Sequence, residues 1–194
     1  MKRIIGITGG IATGKTTVSN YLAETYQLPI LDADIYAREA VKPGTEILRE
    51  IFARYGEKVQ LSDGTLNRQS LGEIIFNNPA ERQWVEAQIH PYVRHRFESE
   101  IAREVGNIIV LAIPLLFEAN MTDLVTEIWV VSCDGEEQIQ RIKKRDRISS
   151  SAAEARINSQ LSLEEKIARA DVVLDNSTTL DNLRQQVDLA LGFV

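Results

Sequence analysis

The residues with the clearest chemical potential lie near the N-terminus. Gly9-Gly10-Ile11-Ala12-Thr13-Gly14-Lys15-Thr16 fits the spacing G-x-x-x-x-G-K-[ST]. Glycines in such a run permit backbone angles closed to other residues and let N–H groups approach an anion closely. A helix beginning near Lys15 points its positive end at the same place. Lys15 then reaches the β- and γ-phosphates of a nucleotide, Thr16 offers its hydroxyl to Mg²⁺, and Thr17 follows in the first helical turn. The pattern fixes only four positions, so its context matters. The apolar run Ile4-Ile5-Gly6-Ile7 precedes it as a strand, and Val18, Leu22 and Tyr26 follow it at helical spacing. The motif identifies nucleotide phosphate binding but neither the acceptor nor ATP over GTP. No Asn-Lys-x-Asp guanine signature occurs in the chain, which argues against a GTP-dependent switch.

Two further groups carry charge suited to phosphoryl transfer. Asp32 and Asp34 flank Ala33 at the end of a second apolar segment, Pro29-Ile30-Leu31. Strand periodicity puts both side chains on one side, at the carboxyl end of a strand, where open α/β sheets bind ligands. Asp32 could then serve the Mg²⁺ ion and Asp34 accept a hydroxyl proton from the acceptor. The same residues could also cap a helix starting at Ile35. Gln140-Arg141-Ile142-Lys143-Lys144-Arg145-Asp146-Arg147 packs five cations into eight residues. Arg141 lies one helical turn from Lys144 and Arg145, and like charges at that spacing repel. An arriving polyphosphate relieves that repulsion, and the planar arginine fork suits phosphate oxygens. Lys143 and Lys144 read as a solvated face. Arg141 and Arg145 read as lid residues that neutralise the transferring group, with Arg156 adding to the site from the next helix.

Positioning these groups requires a particular order of elements. Apolar runs at residues 4–7, 29–31, 108–113, 128–131 and 172–174 are continuous rather than alternating, as in a parallel sheet covered on both faces. Helical patterns lie between them, so the class is α/β with a five-stranded parallel sheet. Two mainly helical segments interrupt it. In the first, residues 35–106, Ile47, Leu48, Ile51, Phe52 and Tyr55 form one apolar face. Asn78-Pro79 starts a later helix, Pro91 kinks or restarts it, and Gly106 ends it. In the second, residues 136–169, Asp134 with Glu137 and Ser162 with Glu165 resemble capping boxes.

Composition narrows the function further. The chain has 194 residues, enough for one core with an insertion. Its net charge of −6 argues against a general nucleic-acid binder, so an anionic substrate must be held by local cations. Cys133 is the only cysteine, which rules out an intrachain disulfide and suits a reduced, cytoplasmic setting. No secretory signal is evident. The longest apolar run, Ile108 to Phe117, is interrupted by Pro114 and is far shorter than the roughly 20 residues of a membrane span. A monomer or small homo-oligomer is expected.

Taken together, the motifs resemble one family, dephospho-coenzyme A kinase, a relative of the nucleoside monophosphate kinases. The resemblance runs over nearly the whole chain: Thr8-Gly9-Gly10-Ile11, Asp32-Ala33-Asp34 with Ala37-Arg38, His90-Pro91, Pro114-Leu115-Leu116-Phe117-Glu118, Gln140-Arg141 through Arg145-Asp146, Arg156 with Gln160, and Ala170-Asp171 through Asp175-Asn176. It implies transfer of the γ-phosphate of ATP to the ribose 3′-hydroxyl of dephospho-coenzyme A, with Mg²⁺, as the last step of coenzyme A synthesis. It divides the chain into a nucleotide-binding core (1–34, 107–135 and 170–194), an acceptor domain (35–106) and a lid (136–169). Asp34 matches the family's proposed base; Thr8, Arg38, His90, Glu118 and Arg156 match acceptor-side positions. A histidine before proline can equally make a local structural contact. The family often has glycine and serine where this chain has Ala12 and Thr13, so the Ala12 methyl is a potential crowding point.

Overall fold

A computed structural model describes residues 2–192. The five strands, β1 (Arg3–Gly9), β2 (Ile30–Asp32), β3 (Ile108–Ala112), β4 (Glu127–Ser132) and β5 (Val172–Asp175), form one sheet in the order β2-β3-β1-β4-β5, with every pairing parallel. The central strand β1 runs beside β3 on one edge, with Ile5 opposite Val110, and beside β4 on the other, with Ile7 opposite Trp129. The continuous apolar runs have the physical reason inferred from them: Ile5, Ile7, Val110, Trp129 and Val131 are fully buried because helices cover both faces.

The chain separates into two compact units. One contains the segment up to Asp32 together with everything from Arg103 onward; the other is Ala33–Ala102. In the first, α1 (Lys15–Tyr26) and α9 (Leu180–Leu191) pack Val18, Leu22, Leu183, Val187 and Leu191 onto the sheet. Arg3 ties the start of β1 to the end of α9, donating to the carbonyls of Ala190 and Leu191 at 2.8 and 2.9 Å while pairing with Glu127. A cation on the last carbonyls of a helix also complements its dipole. Tyr21 and Tyr26 on α1 both donate to Asp188 Oδ1 on α9, at 2.9 and 2.6 Å. The carboxylate and burial push both phenol pKa values up. The remaining helices of this unit are α6 (Gly135–Asp146), α7 (Ser150–Ile157) and α8 (Leu163–Ile167).

The second unit is helical: α2 (Ala33–Ala40), α3 (Glu46–Tyr55), α4 (Arg68–Asn77) and α5 (Pro79–Arg103), the last ending just past the unit boundary. Its core joins Ala40, Val41, Leu48, Ile51, Val59, Leu66, Leu71 and Val85, and Tyr36 meets Phe97 edge to face at 5.1 Å. Thr45 and Asn67 cap α3 and α4 through their side chains.

Three local expectations need correction. β2 ends at Asp32 and α2 begins at Ala33, so Asp34 is a helical residue and the strand-period argument for placing it beside Asp32 fails. A three-residue strand is too short to carry its periodicity onward. The helix also starts two residues before Ile35. Second, α5 does not restart at Pro91 but continues through it; proline forfeits one backbone bond, and 25 residues of helix absorb that loss. Third, Asp134 caps α6, accepting from the amides of Glu136 and Glu137, but the Glu137 carboxylate goes to Arg141 rather than back to the cap. Ser162 with Glu165 does form a full capping box.

The α1–α9 contact gives a first test. Asp188→Ala removes the acceptor shared by two tyrosines and should lower unfolding free energy by about 1–2 kcal/mol, modest because the site is partly exposed. A urea midpoint measurement checks this; an unchanged midpoint removes the clamp role.

Candidate active site

The loop between β1 and α1 is shaped by Gly9 and Gly14, whose positive φ angles and close neighbours exclude larger residues, and by Gly10, where a side chain would have to displace Gln138. Gly9 has φ 146°, and a Cβ there would lie 2.2 Å from the Val131 carbonyl oxygen on β4. Gly14 has φ 110°, and its Cβ would meet Asn176 Nδ2 at 2.2 Å. A Cβ on Gly10 would lie 2.6 Å from Gln138 Nε2. Ala12 also sits in the left-handed region, at φ 59°, which costs a non-glycine residue about 1–2 kcal/mol. This backbone strain explains why glycine suits that position.

For amides to turn inward to an anion, the carbonyls of the same peptides must turn outward and find donors. Lys15 Nζ donates to the carbonyls of Gly9 and Gly10 at 3.2 and 2.6 Å. The fully buried Thr13 donates its hydroxyl to the Gly10 carbonyl at 3.0 Å. Gln138 on α6 donates to the Ile11 carbonyl at 2.8 Å. The Thr13 carbonyl accepts from Asn176 Nδ2 at 2.8 Å and from Arg141 Nη1 at 3.4 Å, while Arg141 Nη2 donates to the Asn176 carbonyl at 2.9 Å. α1 begins with no side-chain cap and no acidic residue in its first turn, so its positive end is left for a ligand. Thr16 and Thr17 lie in that turn.

The other candidate residues fall into separate settings. Thr8 is fully buried, and its hydroxyl donates to the Pro114 carbonyl at 3.1 Å. Glu118 accepts from the Leu161 amide at 3.0 Å and from Lys166 Nζ at 2.9 Å. Lys166 has 0% exposure and also donates to the Pro114 carbonyl. Arg145 makes a two-point contact with Asp146, which Arg156 also pairs; the two guanidinium groups hold the Asp146 carboxyl below the usual range. Asp32 ends β2. In the helical unit, Asp34 lies in the first turn of α2 and Arg38 in its last. His90 is on α5, where burial lowers its pKa against a weaker opposing pull from Glu86. A cavity of about 960 Å³ opens beside the loop, lined among others by Gly10, Cys133, Gln138, Ile157, Gln160 and Leu163. Cys133 is 7% exposed, and burial raises its thiol pKa.

A family model described as dephospho-CoA kinase matches residues 3–182. A dephospho-CoA kinase of Trichormus variabilis is 61% identical over 192 residues, covering 99% of this chain and 98% of its own. The chain belongs to the dephospho-CoA kinase family. A crystal structure from Thermus thermophilus superimposes with a TM-score of 0.83 at 32% identity, covering 100% of this chain and 98% of that one. A dephospho-CoA kinase from Campylobacter jejuni does so with a TM-score of 0.71 at 28% identity, covering 100% of both chains.

Within this dephospho-CoA kinase family member, the structure adds partners that the motif does not specify. Gln138 and Asn176 act on loop carbonyls, and a residue that binds backbone leaves no paired side-chain signature; Lys166 pairs with Glu118 from 48 residues away and also donates to the Pro114 carbonyl. Asn176 was within reach, because it ends the Asp175-Asn176 segment that carries the family resemblance. Lys166 sits in Leu-Glu-Glu-Lys, which reads as solvated helix.

Two tests follow from these environments. Lys166→Met leaves Glu118 without its buried partner and should destabilise the chain by about 3 kcal/mol, the low end for such pairs because Glu118 is 24% exposed. Adding Glu118→Gln should recover part of the loss, and strict additivity of the two changes would refute the pairing. For His90 the native state binds fewer protons than the unfolded chain, since burial depresses its pKa from 6.5. Its stabilising contribution is present above that value and is lost as pH falls through the lower folded value. His90→Asn should therefore show a smaller drop in melting temperature than the wild-type chain on acidification from about pH 7.5 to 5.5.

Proposed function

We propose that this protein transfers the γ-phosphate of ATP to the ribose 3′-hydroxyl of dephospho-coenzyme A, giving ADP and coenzyme A in the cytoplasm. The observation that carries this reading is the glycine-rich loop whose carbonyls are held by Lys15, Gln138 and Asn176, in a chain that matches the family model over residues 3–182. The loop amides other than that of Thr13, which donates to the Gly10 carbonyl at 3.4 Å, and the Lys15 ammonium receive the β- and γ-phosphates. Lys15 exchanges two neutral carbonyl acceptors for charged phosphate oxygens, a stronger partnership. Thr16 and Asp32 supply the hydroxyl and carboxylate oxygens that Mg²⁺ prefers, and the ion when bound neutralises phosphate charge.

Asp34 accepts the proton as the 3′-oxygen attacks. The new O–P bond forms as the bond to the ADP oxygen breaks, and the proton leaves with the carboxyl group. Arg141 and Arg145 offset charge on the moving group, which spreads over three equatorial oxygens. Thr8, Arg38, His90, Glu118 and Arg156 serve the acceptor side, Thr8 and Glu118 by holding backbone rather than by direct contact. The segment 136–169 acts as the lid that excludes water, the competing acceptor.

The decisive assay supplies ATP, Mg²⁺ and dephospho-coenzyme A and follows ADP release, with the phosphorylated product identified by mass. ADP formation should accelerate with this acceptor and not with AMP or shikimate; a rate no faster than hydrolysis in water sinks the reading. Asp34→Asn should lower kcat by about 10²–10⁴ while leaving the KM for ATP nearly unchanged. Lys15→Ala should instead weaken use of ATP itself.

A further inference from the structure

The helical unit holds an arrangement of charge that folding alone does not explain. Most of its arginines face carboxylates: Arg49 meets Glu46, Arg54 meets Glu81, Arg94 meets Glu98, and Arg96 meets Glu39 and Glu100. Arg38 and Arg68 face each other instead. Arg68 Nη2 donates to the Arg38 backbone carbonyl at 3.3 Å. Among the described residues no carboxylate forms an ion pair with either guanidinium. Partial burial and the charge of Arg38 together hold Arg68 below the ordinary arginine value. Arg68 also opens α4, where the helix dipole disfavours a cation. Two like charges brought together without counter-ions raise the energy of the empty protein, and an anion with several oxygens lowers it.

The position of Arg38 on α2 bears on which anion. Arg38 lies four residues after Asp34, one turn later on the same face and about 6 Å along the axis. In dephospho-coenzyme A the ribose 3′-hydroxyl and the 5′-diphosphate are separated by one furanose ring and one methylene. An acceptor whose hydroxyl lies at Asp34 has its diphosphate within reach of Arg38. We propose that Arg38 and Arg68 form the seat for the acceptor's diphosphate, selecting adenosine 5′-diphosphate esters over acceptors that lack it. The proposal rests on the function given above and adds Arg68, which no motif singled out. The same anion chemistry occurs in ATP, so the test must separate donor from acceptor.

Steady-state kinetics compare the wild-type chain with Arg68→Gln, Arg68→Lys and the Arg38→Gln/Arg68→Gln double variant. Arg68→Gln should raise the KM for dephospho-coenzyme A about tenfold, and the double variant more, with kcat changed much less. The KM for ATP should stay within about twofold of wild type, since the seat does not serve the donor. Arg68→Lys keeps charge but not the fork and should recover only part of the loss. An unchanged KM for dephospho-coenzyme A, or a rise confined to ATP, overturns the proposal. A second measurement does not depend on turnover: calorimetry of inorganic pyrophosphate binding, with the donor site filled by a non-hydrolysable ATP analogue. Binding should weaken about tenfold in Arg68→Gln; equal binding overturns the seat. Should the wild-type chain fail to phosphorylate dephospho-coenzyme A, the functional reading falls, and this titration still decides whether the arginine pair holds a diphosphate.

Discussion

The structure turns on a constraint of the peptide group itself. An amide that faces an anion has its neighbouring carbonyls facing away, and a carbonyl turned from water needs a donor. Here the loop after β1 meets that requirement from three directions. Lys15 and Thr13 serve it from within, Gln138 and Arg141 from α6, and Asn176 from the end of β5. The glycines belong to the same solution, because Gln138 and Asn176 stand where side chains at positions 10 and 14 would project. The loop backbone is thus held in place by side chains that bind its carbonyls. The parallel sheet makes this possible by bringing the carboxyl ends of β1, β4 and β5 together.

The helical unit answers a different physical demand. It presents charge rather than a strained backbone, and much of that charge is internally matched. Glu81 joins Arg54 and Tyr55 in one such network, whose hydrogen bonds depress the Glu81 pKa to about 2, while burial and the Glu81 carboxylate raise that of Tyr55 to about 12. Against this background Arg38 and Arg68 stand together without an ion-paired carboxylate.

How legible this was in the chain depends on the kind of interaction. The strands were readable because burial on both faces forces unbroken apolar runs such as Ile109-Val110-Leu111. The phosphate loop was readable because backbone geometry confines glycine to particular positions. The chemistry of Asp34 is legible from its residue type and neighbours, but its helical backbone is not, since β2 is too short for any period to show. Gln138 and Asn176 are not legible, because a side chain bound to main chain can be matched by any residue in the partner loop, and Lys166 is not, because its partner Glu118 is distant in the chain. Arg68 was missed for a related reason: being unpaired is a property of space, not of spacing.

Cys133 has a consequence of its own. Coenzyme A and its precursor both end in a free sulfhydryl, and a reactive cysteine near such compounds invites mixed disulfides through thiolate attack. The chain's only cysteine lies largely out of solvent, with its ionisation suppressed. An enzyme handling these compounds would therefore be poorly susceptible to capture by its own substrate or product, even when the surrounding medium becomes oxidising.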